Sequence, residues 1–325
     1  ILDPDTLVLK VDHAFTAQHR VAGSLNTTNI PRLLIRSPLP PPLPASASDQ
    51  IIKGYTTRLT YDYVIRPTLL NQLTLGYNLF DHNNLTMTQR VFPSKTGSWP
   101  QELGLKGVPG TAFPVINFTG GYAGFSSTTG TSDDEQLYVL KDAVAWFKGQ
   151  HSLKLGAEVR VIRSNLRSTG NMNGTFSFND LGTALPARPA NTGDAFASFL
   201  LGDVHSGSVN FPAIRDPRRP YLGFYVQDDL KMTSRLTLNL GFRFEFTKAP
   251  IDRLDRASTI DLTTPNPGAG GLPGAMIFAG SGPGRLGRRS FVDTDLSGYG
   301  PRIGLAYQLT AKTVVRGGYG IYYSN

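Results

Sequence analysis

Apolar side chains recur at every second position over long stretches of this chain. Residues 236–246 read LTLNLGFRFEF. Leu236, Leu238, Leu240, Phe242, Phe244 and Phe246 alternate there with Thr237, Asn239, Gly241, Arg243 and Glu245. Successive side chains of a strand point to opposite faces, so the pattern predicts one apolar and one polar face. A half-buried strand of a soluble sandwich carries the same alternation, so the surrounding sequence has to decide.

Residues 221–230 form a second extended run. Leu222, Phe224, Val226 and Leu230 share a face that Asp228 interrupts, and polar residues 231–235 join this run to the next. The same unit recurs at 7–15 with 21–27, at 55–65 with 69–80, at 137–147 with 153–162, and at 303–309 with 314–323. Strand, tight turn, strand is a hairpin, so the chain holds about five hairpins and about ten long strands.

The connections between hairpins are long. Residues 29–50 carry Pro38, Pro40, Pro41, Pro42 and Pro44; 82–132 and 164–215 are polar; 249–295 is rich in Gly, Pro and Asp. Loops of this length are uncommon in compact soluble domains. Strict alternation of short turns with long loops puts all turns at one end of a sheet and all loops at the other. Outer-membrane barrels have that asymmetry, with short periplasmic turns and long extracellular loops.

Strand length agrees. A barrel strand needs roughly 9–11 residues to cross the bilayer, against a mode of about 5–6 for ordinary strands. The expected fold is all-β: a fragment of an antiparallel, up-and-down transmembrane β-barrel. Tyr61 and Tyr63 near the 66–68 turn, and Phe244 and Phe246 at the other end, fit aromatic girdles. The polar faces place Arg58, Glu158, Arg160, Arg243, Glu245 and Arg302 toward the lumen. Lateral pairing, or contact with a domain filling the barrel, suits them better than direct contact with a solute.

Residues 192–201 have helical spacing, with Phe196, Phe199 and Leu200 on one face, Asn191 or Thr192 as cap and Gly202 as terminator. This segment is expected to pack its loop onto its own hairpin.

Composition adds limits. The 325 residues contain no Cys, which excludes disulfides and thiol chemistry. No apolar run approaches the roughly 18 residues of a transmembrane helix, a requirement that a barrel escapes. The net charge is +8, but Lys and Arg are dispersed, which argues against nucleic acid. The densest basic group, Arg285, Arg288 and Arg289, reads as a solvated loop, with lipopolysaccharide or another anionic ligand as the alternative.

Catalytic, metal and cofactor signals are weak, and none is expected. His13 and His19 face each other across a turn, an arrangement more often idle than ligating. Asp133, Asp134 and Glu135 read as the acidic start of a strand, and Asp252, Asp255 and Asp261 lack the glycine placement of an EF-hand. Residues 280–284 lack the ending of a phosphate loop.

Several segments resemble the barrel domain of TonB-dependent outer-membrane receptors, in particular the Oar-like subgroup that often carries a carboxypeptidase-regulatory-like domain. They are 225–231 (YVQDDLK) with 235–245 (RLTLNLGFRFE), 300–307 with 313–323, 149–160 (GQHSLKLGAEVR), 194–202 (DAFASFLLG) and 10–13 (KVDH). They span nearly the whole chain in family order.

The resemblance implies that residues 1–325 are part of a barrel of about twenty-two strands, with signal peptide, plug and C-terminal strands outside the sequence. It implies energy-coupled uptake of an unidentified solute at the bacterial outer membrane. The partners would be outer-membrane lipid and lipopolysaccharide, the missing plug and strands, and TonB acting through the plug. Loop segments 99–122, 215–221 and 268–289 are the candidates for recognition, through Trp99, Phe118, Tyr122, Arg218, Arg285, Arg288 and Arg289. Two alternatives stand beside this: a non-transporting surface or adhesion protein on the same scaffold, and a secreted soluble β-rich carbohydrate-binding protein.

Overall fold

A computed structural model describes residues 4–35, 47–86, 93–125, 130–168, 171–188, 192–211 and 213–323. Pro38, Pro40, Pro41, Pro42, Pro44 and Asn191 lie outside the described residues.

The chain begins with four long strands: β1 (Asp5–Ala14), β2 (His19–Ile35), β3 (Ala47–Arg66) and β4 (Leu69–Thr86). A first elaborated loop holds a one-turn helix α1 (Trp99–Glu102) and β5 (Val115–Phe118). The hairpin of β6 (Thr131–Lys148) and β7 (His151–Ser168) follows. A second loop contains β8 (Thr175–Phe178), a short helix α2 (Ala195–Leu200), β9 (Ser206–Ser208) and β10 (Ala213–Arg215). Then come β11 (Pro217–Lys231) and β12 (Leu236–Thr247), a third loop with β13 (Ile251–Asp252), β14 (Ser258–Pro265) and β15 (Pro273–Phe278), and the last hairpin, β16 (Tyr299–Thr310) and β17 (Thr313–Gly320).

Twelve of these strands form one antiparallel sheet; ten run in the order β1-β2-β3-β4-β6-β7-β11-β12-β16-β17, with β10 added to β7 and β13 to β11. Neighbours in the sheet follow one another in sequence apart from loop strands, which is up-and-down topology. The sheet is open. Every short turn lies at one end and every long connection at the other. No helix of the described residues is long and apolar enough to cross a membrane.

The strands outrun the apolar pattern. β2 holds 17 residues, β3 20, and β4, β6 and β7 18 each. The connections expected at 29–50, 82–132 and 164–215 are therefore shorter than the sequence suggests. Asp133, Asp134 and Glu135 lie within β6 rather than ahead of it. Backbone hydrogen bonding carries the ladder past the point where one face must be apolar, so alternation marks the buried span and not the strand end.

Burial is inverted relative to a soluble protein. Cross-strand register aligns Leu59, Leu75, Leu140, Val159, Leu222 and Phe246 in one row on the apolar face. Leu59 is 46%, Leu75 45% and Leu140 46% exposed. Phe224 is 47%, Phe242 43% and Ile303 55% exposed on the same face. An apolar band of this size on one side of a sheet, interrupted by Asp142 and Asp228, is what lipid covers.

Aromatic rings stand along the band. His19 stacks on Tyr63 with centroids 4.6 Å apart near the turns, and Phe244 stacks on Tyr299 at 4.9 Å within the apolar face. Buried apolar residues instead gather in the loops: Phe113, Ile116 and Phe178 form a core to which Trp99, Phe118, Phe125, Phe176 and Phe199 add.

Candidate functional site

Two features could meet a solute: a folded cap made from loops, and a charged ladder on the polar face of the sheet.

The cap joins the first two elaborated loops. β5 pairs in parallel with β8, placing Val115 to Phe118 opposite Thr175 to Phe178, and β9 extends this small sheet. Gly110 N–H donates to Met172 O at 2.9 Å, and the buried Asn173 side chain accepts from Ala112 N–H at 3.0 Å. A Cβ on Gly110 would collide with backbone of Met172 and Asn173, so the joint demands glycine. Phe118 contacts Phe178, Phe196 and Phe199, with centroids 5.4–6.0 Å apart.

α2 sits on this cluster. Its cap is Asp194, whose carboxylate accepts from Phe196 N–H and Ala197 N–H at 2.9 Å each. Thr192 instead bonds Leu185 N–H and Arg188 O. Thus the cap expected at Asn191 or Thr192 lies at Asp194, where the extended backbone (φ −151) aims a side-chain oxygen at the free amides. Ala195 and Ser198 are the buried residues of the helix, whereas Leu200 is 70% exposed. The helix packs on the neighbouring loop's Phe118 and Phe125 rather than on its own hairpin.

Tyr122 crosses between the loops and donates to Asp194 Oδ2 at 2.6 Å. That bond and the helix amides hold the Asp194 carboxyl below the usual carboxylate range, and the same carboxylate pushes the Tyr122 phenol up. Asp194→Ala removes the helix cap and this cross-loop bond together. The expected result is severalfold faster proteolytic nicking between residues 171 and 211 with the strands intact, read by limited proteolysis and mass mapping.

Sequence candidates in the loops are redistributed. Trp99 packs edge-on against Phe113 at 5.4 Å, and Phe118 is half-buried, so both hold the cap together rather than face outward. Tyr122 remains exposed. Arg218 lies within β11 rather than in a loop, bonded to Asp216 at 2.7 Å.

The basic group of the third loop is also spoken for. Arg285 donates to the carbonyls of Asp255 and Ala279, Arg288 pairs with Asp293 at 2.8 Å, and Arg289 pairs with Asp255 at 2.7 Å. All three arginines remain exposed, as in a solvated loop, and the glycine-rich path also folds their side chains back onto loop carbonyls and carboxylates.

Asp252 anchors that loop to the sheet. Its carboxylate accepts from Asp216 N–H at 2.8 Å, Leu254 N–H at 2.9 Å and Arg256 N–H at 3.2 Å, and pairs with Arg256 Nε at 3.3 Å. Burial opposes ionisation, but these bonds outweigh it and lower the pKa from 3.8 to about 2. A carboxyl depressed on folding contributes stability that is complete above its unfolded value and lost as pH falls through the folded one. Amide exchange at Asp216, Leu254 and Arg256 should stay slow down to about pH 4 and accelerate beyond the intrinsic pH trend between about pH 4 and 2. Asp252→Asn should expose the same amides at neutral pH.

The charged ladder spans three strands. Register sets Glu158 opposite Gly223 and Gly223 opposite Glu245, while Arg160 lies opposite Tyr221. Arg160 Nε meets Glu158 Oε1 at 2.6 Å and Arg243 Nε meets Glu245 Oε2 at 2.6 Å. Arg243 Nη2 donates to the Tyr221 hydroxyl at 2.7 Å and lies 3.9 Å from Glu158, and Tyr221 donates to Glu245 at 2.5 Å. The Arg160 guanidinium stacks over the Tyr221 ring at 4.6 Å.

Glycine makes room for this. A Cβ on Gly223 would come within 2.7 Å of the Tyr221 hydroxyl, and one on Gly156 would overlap the Tyr225 ring. The sequence reading put Tyr221 at the end of the 215–221 recognition segment and not in the ladder, although it sits at an odd, polar-face position of the 221–230 run. Two carboxylates and two guanidiniums cancel in charge, so the ladder ties strands together and presents a hydrogen-bonded surface rather than an acid-base pair.

Arg302 lies on the same face opposite Gly241 and covers the Tyr322 ring at 4.4 Å. Arg58 shares the face but stands on β3, between Ser24 and Gly76, away from the ladder. Among the described residues no group of three His, Cys, Asp or Glu could hold a metal ion. His13 and His19 part company: the first meets Phe15 edge-on at 4.5 Å, and the second shares a hydrogen bond with Tyr61 at 2.7 Å.

A lipid-ready face, a polar face and one looped end define an outer-membrane β-barrel segment. The family model described as "Outer membrane beta barrel domain" matches residues 2–325, and the chain belongs to that family. It is a protein of the bacterial outer membrane, and the soluble secreted alternative falls. No curated protein matches the sequence.

Among solved structures it is similar to a protein described as copper transporter OprC, with 11% identity and a TM-score of 0.51 over 97% of this chain and 37% of that one. It also aligns with the outer-membrane transporter YddB of Escherichia coli (12% identity, TM-score 0.49, 98% and 40%) and the siderophore receptor PiuA of Acinetobacter baumannii (11%, 0.47, 98% and 42%). The chain spans well under half the length of these structures.

Proposed function

We propose that this chain is the strand-and-loop portion of a TonB-dependent receptor that takes a scarce solute across the outer membrane. The observation that carries the reading is the division of labour around one sheet: an exposed apolar face, a polar face with a charge-balanced ladder, and loops folded into a cap at one end. On this reading the polar face lines the lumen, so Arg58, Glu158, Arg160, Arg243, Glu245 and Arg302 face inward. The ladder stiffens the wall that a plug would rest against, and the cap with Tyr122 forms part of the outer mouth. The motifs at 225–245 and 300–323 support the Oar-like subgroup.

Uptake of the solute found by a nutrient-limitation panel should fall to background in a strain lacking the full-length protein. It should fall equally in one lacking TonB, with no further loss when both are absent. Uptake that survives loss of TonB overturns the proposal, as does a strain whose sole defect is surface adhesion.

A further inference from the structure

Three buried oxygens on the polar face of the sheet accept no hydrogen bond: Gln50 Oε1, Asn84 Oδ1 and Asp133 Oδ1. A buried acceptor without a donor is costly, and an ordered water or an ion is its common remedy. These three belong to the adjacent strands β3, β4 and β6.

Register brings them together. Gln50 stands opposite Asn84, and Asn84 opposite Thr131. His82 stands opposite Asp133, one face-repeat along the same strands. Parity puts Gln50, His82, Asn84 and Asp133 on the face that carries Arg58 and Lys141. Opposite and diagonal neighbours on one face lie within reach of each other. The Gln50 amide nitrogen donates to His82 Nε2 at 2.6 Å. That bond draws the head of Gln50 over β4 and leaves its carbonyl oxygen free. The group lies at the loop end, past the level of Tyr55 and Leu79, outside the apolar band.

The donor set is chemically specific. Two amide carbonyls and one carboxylate are hard oxygen ligands of the kind calcium takes, and the site offers no thiolate or imidazole pair for a softer metal. Only one of the three is acidic, so the group differs from a chance crowd of carboxylates. Glu135, exposed one face-repeat from Asp133, adds a second carboxylate nearby, whereas Arg32 stands across Gln50 on β2, on the side away from Asp133. A single water has two protons to give and leaves one of three acceptors unserved; one cation serves all three.

We propose that Gln50, Asn84 and Asp133 form a calcium site that ties β3, β4 and β6 together at the loop end of the wall. The connection from β4 to β6 is the long one that holds α1 and β5, so no tight turn fixes this end of the pair. The ion supplies that tie. The site needs no transport activity and is indifferent to TonB.

The test uses the full-length protein in nonionic detergent, freed of lipopolysaccharide and dialysed against radioactive calcium. Wild type should bind one more ion per chain than Asp133→Asn, with a Kd on the order of 0.1–1 mM, the range of extracellular calcium sites. Asp133→Asn should weaken that binding at least tenfold. Asn84→Asp, which adds ligand charge, should tighten it severalfold. Asp134→Asn should leave it unchanged, because Asp134 lies on the other face and accepts from Asn165 at 2.8 Å. Amide exchange at Asn84, Thr131 and Ser132 should be slower in calcium than in chelator for wild type and equal in both for Asp133→Asn. Folding of each variant is checked by heat-modifiable mobility.

Equal calcium binding by wild type and a folded Asp133→Asn overturns the site, as does an equal loss from Asp134→Asn, which points to diffuse surface charge. Should Asp133→Asn fail to fold, Asn84→Asp decides alone: an unchanged affinity overturns the proposal. Magnesium that binds as well as calcium overturns the assignment of the ion.

Discussion

Phe224→Arg should destabilise the folded protein by about 2–4 kcal/mol, the cost of an arginine on a lipid-facing strand near mid-depth. Phe224 lies opposite Ala157 on one side and Phe244 on the other, within the apolar face, yet is 47% exposed. At a water-facing position an exposed residue tolerates such a change within roughly 0.5 kcal/mol. The two expectations differ enough for equilibrium urea unfolding in liposomes to separate them. Thr60→Arg is the control. Thr60 stands on the polar face, in the same register row as Gly223, opposite Ala22 and Thr74, between Arg58 and Asp62 on its own strand. It should shift stability by less than about 1 kcal/mol, since that face already carries charges. Equal losses at both positions would contradict the assignment of faces.

That contrast rests on the part of the fold most legible from residues alone. Alternation across Leu236 to Phe246, or Tyr55 to Tyr63, is a local signal, and each strand states its own two faces. Strand ends are another matter. Residues 47–54 precede the apolar part of β3, yet they pair fully with β2. Outside the bilayer both faces meet water, so the ladder persists while the pattern that announces it fades.

The cap is invisible to local reading for a different reason. β5 and β8 belong to different loops and pair in parallel, and nothing in VINF or TFSF names its partner. Asp194, Thr192 and Asn191 all have suitable chemistry to cap a helix. Backbone geometry selects Asp194, and its bond to Tyr122 depends on the other loop.

The charged ladder is intermediate. Parity puts Glu158, Arg160, Arg243 and Glu245 on polar faces. Which of them meet depends on the register of β7 on β11 and of β11 on β12, with Gly223 between the carboxylates. Only β11 and β12 are joined by a short turn. The long connection between β7 and β11 leaves their register to packing, and Tyr225 over Gly156 is one of the contacts that fixes it.

Arg243→Ala should cost about 3 kcal/mol, more than the loss of an exposed ion pair, because three partners lose it together. Glu245 and Glu158 have side-chain exposures of only 11% and 13%, so neither carboxylate can be fully rehydrated where it stands. Tyr221 loses its guanidinium donor and keeps Glu245, which has lost its own ion pair while Arg160 stays over the Tyr221 ring. Arg243→Lys should recover part of the loss, since an ammonium restores charge but not the geometry that reaches Glu245 and Tyr221 at once. If the ladder works as a unit, adding Glu245→Gln to Arg243→Ala should restore about 1 kcal/mol or more, by removing the stranded charge. Urea unfolding of the four proteins in the same liposomes measures the coupling. Additive losses from Arg243→Ala and Glu245→Gln would mean that the two side chains act separately, and that β7, β11 and β12 are held by backbone ladders alone.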